Sequence, residues 1–240
     1  MEKLQLECKY YKLYSPDSLK YITDNMHEIL LSKIDEYIDL FNLTNYEKIQ
    51  INYFDDKEKF RNFIYELRGE KESLPDYAEG TYDKGMINSF IERDIDISSA
   101  LYRKKLYMAN HELFHIMYKK YILQTNYSKR IVWYDEGMAQ FMSGENEDLI
   151  DQKAFKEFYL RVKSNTKKIP YLNEIKHGNS FCNEEYNGYN LSYLCIRYLN
   201  EILSKEEFKK LMTDFEKIKK YGETIINDMF EYYDCKIIDK

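Results

Sequence analysis

The sequence predicts an α+β fold, with a small mixed N-terminal lobe (residues 1–97) and a mainly helical C-terminal lobe (residues 98–240). Two short segments, 48–54 and 86–91, have the composition of β-strands. From residue 98 onward, apolar residues recur at helical spacing almost without interruption. Only 8 glycines and 3 prolines occur among 240 residues, which is typical of a helix-rich protein with short connections. We expect the two lobes to form one functional unit.

The first half of the N-terminal lobe is predicted to be a helix followed by a strand. Pro16 is suited to the first turn of a helix, and apolar residues follow it at helical spacing. The segment 48–54 then alternates, with Ile49, Ile51 and Tyr53 on one face. Such alternation predicts a strand that buries one face only.

The second half of this lobe is predicted to add another helix and another strand. Asp56 can cap a helix that Gly69 would end. Residues 74–85 are expected to form a loop, and residues 86–91 a strand. In the C-terminal lobe we expect a short helix that starts near Asp135. Five other helices are expected there, at about residues 98–121, 151–164, 191–203, 205–221 and 224–233.

Composition and charge exclude several classes of function. The formal net charge is −6, whereas a protein that binds nucleic acid usually carries a basic excess. The apolar runs fall short of a membrane span, and residues 1–10 contain no signal-peptide hydrophobic region. We therefore expect a cytoplasmic monomer, or a secreted protein if a leader has been removed. Four scattered cysteines are expected to be reduced thiols: Cys8, Cys182, Cys195 and Cys235.

One motif in the C-terminal lobe has the spacing of a metal site. Residues 111–115 read His-Glu-Leu-Phe-His, and two histidines four residues apart on a helix can reach one ion. Glu112 lies beside them, within reach of a metal-bound water. The alternative is a pair of helix histidines that face a cavity or solvent. Apolar residues around the motif indicate a buried helix, in which unpaired polar groups would be costly.

A catalytic zinc site needs a third protein ligand and an open position for water. The cysteines have no local ligand spacing, so the acidic segment 133–141 is the better candidate. Glu136 follows His115 by 21 positions (136 − 115), which leaves room for the first helix to end and the chain to return. Gly137 and Ala139 are small and permit close approach of two helices.

These motifs together resemble those of a known group of enzymes. His-Glu-x-x-His followed by Trp133-x-x-Glu136-Gly137-x-Ala139 is similar to the gluzincin metallopeptidases, and closest to the bacterial peptidase MA-like domains. The similarity extends over roughly residues 17–205. It implies a thermolysin-like architecture, in which an edge strand of the N-terminal lobe lies over the active-site helix.

The resemblance implies zinc-dependent hydrolysis of peptide bonds. His111, His115 and Glu136 would hold one Zn²⁺ per chain, and Glu112 would be the general base. Some gluzincins have an acid one turn after the glutamate ligand, where it orients a zinc-bound histidine. This chain has Gln140 there, whose amide oxygen accepts a hydrogen bond less strongly than a carboxylate would.

The resemblance also implies how a peptide or protein substrate would bind. The strand at residues 86–91 would be the edge strand and pair with extended substrate backbone. Its substrate-binding residues would be Met86, Ile87, Asn88 and Ser89. No nucleic acid and no membrane are expected as partners.

A tyrosine is implied as the group that stabilises the oxyanion. Tyr189, before an amphipathic helix and followed by Ser192, matches the Tyr-x-x-Ser helix start of the family, and Tyr186 is the nearest alternative. The two other histidines are expected to have no catalytic role, because His177 lies in a surface loop and His27 lies on the first helix.

Two rival functions remain open at this point. In the first, the chain is a catalytically inactive protein of gluzincin fold that binds a peptide or protein partner. In the second, it is a structural zinc protein. Retention of Glu112 argues against the first, since a binding role needs no base. Three ligands with a neighbouring base fit an open catalytic site better than a closed four-ligand site.

Overall fold

The computed structural model describes residues 3–43, 46–69, 74, 78–124, 126–176 and 180–238. The chain has a mixed α+β fold and divides into two compact units, Met1–Met117 and Tyr118–Lys240. The division therefore falls after Met117, whereas the sequence analysis placed it after residue 97. The reason is that helix α3 (Ala100–Met117) packs against helix α1 (Lys20–Leu40) of the first unit.

A five-stranded sheet organises the first unit. Its strands are β1 (Lys3–Glu7), β2 (Tyr11–Ser15), β3 (Ile49–Phe54), β4 (Gly80–Asp83) and β5 (Met86–Phe90). Their order across the sheet is β1-β2-β3-β5-β4. The three inner strands run parallel, and each outer strand is antiparallel to its neighbour. Among the residues that the structure describes, β1 and β4 are thus the edges.

Three of these strands were not predicted from the sequence. In β2, Tyr11, Leu13 and Ser15 are buried and alternate with half-buried residues, a pattern that identifies a strand. The strand β4 lies within residues 74–85, which were expected to form a loop. It has only four residues, so its alternation is too short to recognise without its pairing partner.

Strand β3 was predicted correctly in position but not in burial. Ile51, Asn52, Tyr53 and Phe54 are all buried, so the prediction of one buried face is wrong. The strand lies between β2 and β5 and is covered on both faces. The polar side chain on the second face is satisfied locally, because Asn52 Nδ2 donates to Asn88 Oδ1 at 2.7 Å.

The two helices of the N-terminal segment form where they were predicted. Residues Asp17–Leu19 form a 3₁₀ turn that leads into α1. Helix α2 (Lys57–Arg68) is capped by Asp56, whose side chain accepts a hydrogen bond from the backbone amide of Lys59 at 2.9 Å. Gly69 ends it, as predicted.

The second unit is helical. It begins with the π-helical turn Tyr118–Leu123, and its helices are α4 (Val132–Ser143), α5 (Gln152–Asn165), α6 (Gly188–Ile202), α7 (Lys205–Leu211) and α8 (Phe215–Ile238). The break predicted near Gly222 is wrong, because this residue lies inside α8. The break is instead at Asp214, whose side chain accepts from the backbone amide of Lys217 at 3.0 Å. Over the described residues, no helix combines the length and apolar character needed to cross a membrane.

Candidate metal centre

Helix α3 brings the two histidines of the motif together. The Ser99 hydroxyl oxygen accepts from the backbone amide of Tyr102 at 3.0 Å and so caps the start of the helix. The helix ends at Met117, four residues before its predicted end. His111 and His115 are both half-buried, and their Nε2 atoms are 3.1 Å apart. The predicted convergence of the two imidazoles is therefore confirmed.

The separation of these nitrogens suits a tetrahedral ion. Two nitrogen ligands about 2.0–2.1 Å from a zinc ion lie roughly 3.3 Å apart when the geometry is tetrahedral. The observed distance of 3.1 Å between His111 and His115 is close to that value. The imidazole rings are inclined at 76° to each other. The spacing of the two nitrogens is therefore compatible with binding of one zinc ion.

The rest of α3 is held in place by packing on α1. Leu113, Phe114 and Met117 are buried, and the ring of Phe114 meets that of Tyr37 at 6.0 Å in an edge-on arrangement. The Tyr37 hydroxyl also donates to the carbonyl of Asn110 at 3.1 Å. These contacts fix the helix at Asn110 and Phe114, on either side of His111.

Glu112 lies beside the edge strand β4. Its side chain is half-buried. A Cβ atom added at Gly80, the first residue of β4, would be 3.8 Å from Glu112 Oε1 and only 2.8 Å from Met108 Sδ. A larger residue here would require the flexible Met108 side chain to shift, so glycine lets the strand approach α3 closely without that change. The expected edge strand over the motif helix exists, but it is β4.

The prediction that residues 86–91 form the edge strand is wrong. β5 pairs with β3 on one side and with β4 on the other, so its backbone groups are already engaged in the sheet. Ile87, Asn88 and Ser89 are buried. These three residues and Met86 therefore do not offer the free strand edge that was assigned to them.

A buried lysine ties β4 and β5 to the motif helix. Lys105 of α3 has a side chain only 1% exposed, and its Nζ donates to Glu79 Oε2 at 2.8 Å and to the carbonyl of Phe90 at 2.7 Å. Burial lowers the pKa of Lys105, and the Glu79 carboxylate partly offsets this. This pair was not predicted from the sequence, because the two residues are 26 positions apart.

Helix α4 carries Glu136 and packs closely against α6. It begins at Val132, three residues earlier than predicted, so Trp133 lies in the helix. A Cβ atom at Gly137 would be 2.6 Å from the carbonyl oxygen of Ser192 and 2.7 Å from Ile196 Cγ1. The expected close helix contact at this glycine is thus confirmed, and it fixes the residue next to Glu136.

Glu136 and its neighbour Asp135 share an arginine that was not predicted from the sequence. Arg130 donates to Asp135 Oδ2 through Nε and to Glu136 Oε1 through Nη2, the latter at 3.1 Å. Burial opposes the guanidinium charge, but the carboxylates of Asp135 and then Glu136 outweigh it. The pKa of Arg130 is therefore raised above its ordinary value. The sequence feature that could have indicated this contact is a basic residue shortly before a helix whose first turns are acidic.

His111, His115 and Glu136 form a group that could hold a metal ion. One ligand atom of each residue lies within 4.8 Å of the others. Two imidazoles and a carboxylate form the His₂Glu donor set of catalytic zinc sites. No other group of three or more histidine, cysteine or acidic side chains in the described parts of the chain meets the same condition. These are the three residues that were proposed as ligands from the sequence.

Gln140 lies one helical turn after Glu136 and holds the start of α6. Its Nε2 donates to the backbone carbonyl of Tyr189 at 3.0 Å. The hydrogen bond expected from the sequence, from a zinc-bound histidine to the amide oxygen of Gln140, stays a prediction. Tyr189, the second residue of α6, is 41% exposed and packs edge-on against Phe181. Its backbone is therefore fixed close to the face of α4 that carries Glu136.

Tyr186 and His27 make hydrogen-bond contacts with groups outside the candidate metal site. The Tyr186 hydroxyl donates to the carbonyl of Ser180 at 2.8 Å, so it is engaged in its own loop. His27 Nδ1 lies 2.5 Å from the Tyr11 hydroxyl, within the packing of α1 on β2. His177 lies outside the described residues.

The fold and this site together define a mixed α+β protein with a candidate His₂Glu metal centre. No protein-family model and no curated protein matches the chain. Among solved structures, it is similar to an aminopeptidase N family protein from Idiomarina loihiensis, with 13% sequence identity and a TM-score of 0.49. The match covers 94% of this chain and 42% of the other. The chain thus spans less than half of that protein's length.

Proposed function

We propose that this chain is a zinc-dependent peptidase of the gluzincin type. The observation that carries the proposal is the group of His111, His115 and Glu136, whose ligand atoms lie within 4.8 Å of one another. Glu112 adjoins this group in sequence on the same helix. When bound, zinc supplies the Lewis acid that polarises a peptide carbonyl and lowers the pKa of a water molecule.

Glu112 is proposed as the general base. It accepts a proton from the attacking water and then returns this proton to the leaving amine. Its half-buried position beside Gly80 supports this role, because a substrate that lies along β4 would pass close to the carboxylate. His111, His115 and Glu136 act only as ligands.

The substrate is proposed to be an extended peptide or protein segment that pairs with β4. Gly80, Thr81, Tyr82 and Asp83 pair with β5 on one side, and β4 is an edge among the described strands. An extended peptide can add to such an edge through main-chain hydrogen bonds. This assignment replaces Met86, Ile87, Asn88 and Ser89 as the substrate-binding strand.

The proposal is tested by measuring metal and cleavage together. The purified protein is expected to contain about one zinc per chain, as a three-ligand site requires. It is also expected to cleave members of a mixed peptide library, to lose cleavage after dialysis against a chelator, and to regain it when zinc is added. Zinc without cleavage would favour a structural zinc protein. A protein that contains no zinc and cleaves no peptide would overturn the proposal.

Tyr189 is proposed as the hydrogen-bond donor to the oxyanion. Its exposure and its backbone contact with Gln140, one turn from Glu136, support this role. The Tyr189→Phe substitution is expected to lower turnover by roughly two to three powers of ten, with little change in the Michaelis constant. Steady-state kinetics on one cleaved peptide would measure both quantities.

Tyr186→Phe is the matched control, because the Tyr186 hydroxyl already donates to the carbonyl of Ser180. It is expected to leave turnover near that of the parent protein. A defect in the Tyr186 variant alone would move the role to that residue. Normal turnover in both variants would mean that neither phenol donates to the oxyanion.

A further inference from the structure

A cluster of three charged side chains contains the proposed metal ligand of α4, and its two carboxylates are buried. The Asp135 and Glu136 side chains are 4% and 7% exposed, and the Arg130 side chain that bridges them is 30% exposed. Arg130 lies before the helix, and both carboxylates lie in its first half. The guanidinium thus approaches the ligand carboxylate from the chain that leads into α4.

Two adjacent buried carboxylates would repel each other without this arginine. A guanidinium presents several donors in a rigid planar fork, so it can hold two carboxylates in fixed directions at once. The contact of Arg130 Nη2 with Glu136 Oε1 at 3.1 Å restricts rotation of the carboxylate. Because groups that orient a metal ligand strengthen metal binding, this contact bears directly on zinc affinity.

The positive charge of Arg130 does not by itself oppose a dication. Asp135 accepts from Arg130 Nε, so the pair carries no net charge. At comparable distances, the attraction of a cation to Asp135 offsets its repulsion by Arg130. What remains is the effect of Arg130 on the direction of the Glu136 carboxylate.

We propose that Arg130 is a positioning residue that orients Glu136 for the metal and so strengthens zinc binding. The inference rests on the proposed function, because it takes the metal to be zinc held by the His₂Glu group. It adds a residue that acts through the ligand and contacts no substrate.

The test is the zinc dissociation constant, measured by competition with a chromophoric chelator. Arg130→Met is expected to bind zinc about 10- to 100-fold more weakly than the parent protein, the usual effect of losing a group that orients a ligand. Arg130→Lys keeps the charge but not the planar fork, and an intermediate loss is expected. Arg161→Met, which removes an exposed positive charge from the same unit, is expected to bind zinc as the parent does.

A double-mutant cycle separates orientation of Glu136 from a general structural role. If Arg130 acts through Glu136, then Arg130→Met should weaken zinc binding in the parent but have almost no effect in a Glu136→Gln background. An equal effect in both backgrounds would overturn the inference. Thermal unfolding of the zinc-free variants, with Arg130→Lys as the milder change, shows whether each one folds.

The outcomes for the inference and for the proposed function are distinguishable. A parent protein that binds no zinc overturns both. A parent that binds zinc while Arg130→Met binds it within about threefold of the parent, well short of the expected 10-fold loss, overturns the inference alone. Tighter binding by the Arg130→Met variant would also overturn it, because repulsion would then exceed the effect of orientation.

Discussion

The Glu112→Gln substitution is expected to reduce peptide hydrolysis by roughly two to four powers of ten, the range that general acid–base catalysis usually contributes. The amide has nearly the same shape as the carboxylate but does not accept a proton from water at neutral pH. Glu112 is half-buried beside Gly80, and an isosteric change is expected to leave the packing of β4 on α3 intact. Zinc content is expected to stay at the parent value.

The measurement is the initial rate of cleavage of one peptide at saturating zinc. Glu206→Gln is a suitable control, because Glu206 is exposed in the first turn of α7 and the substitution makes the same chemical change. It is expected to leave the rate unaltered. If Glu112→Gln hydrolyses peptide as fast as the parent while the control behaves as expected, Glu112 is not the base.

Local sequence patterns predicted those features that depend on neighbouring residues. The Asp56 cap and the Gly69 end of α2 follow from residues at the helix ends themselves. The His111–His115 pair follows from a spacing of four residues on one helix. Gly137 could also be predicted, because a small residue in an otherwise apolar helix favours close helix contact. In each case the physical cause lies within one element.

Features that depend on pairing between distant segments were not predictable in this way. The composition of residues 86–91 indicated a strand, but its place inside the sheet is set by pairing with both β3 and β4. The segment that forms β4 is too short to show alternation. Lys105 and Glu79 are 26 positions apart, and their pairing depends on how α3 packs against β4.

The surroundings of Glu136 likewise combine features that neighbouring residues predict with features that depend on tertiary packing. Glu136 could be proposed because it follows the histidine motif at a suitable distance and precedes a glycine. Its partner Arg130 is only six positions away. Their contact depends on the backbone at Ile131, which is extended and leads directly into α4. The hydrogen bond from Gln140 to Tyr189 joins residues 49 positions apart. It could not be inferred until α6 was placed beside α4.

Removal of one proposed metal ligand is expected to weaken zinc binding strongly. His115→Ala and Glu136→Ala each leave two of the three donors in the group. A two-ligand site lacks the three protein ligands of catalytic zinc centres. The zinc dissociation constant should therefore rise by more than the roughly 10- to 100-fold that follows loss of an orienting group alone. After dialysis, both variants should contain much less zinc than the parent.

Thermal unfolding provides an independent measurement of the same loss. A ligand that binds only the folded state stabilises it by about 2.7 kcal/mol when its free concentration is 100 times the dissociation constant. Zinc should therefore raise the melting temperature of the parent but not that of either variant. His27→Ala removes a histidine that contacts Tyr11 and lies outside the ligand group, so its zinc response should match the parent's. Full zinc retention by Glu136→Ala would show that another residue is the third ligand. If His115→Ala loses its zinc in that case, the zinc still binds at the histidine pair.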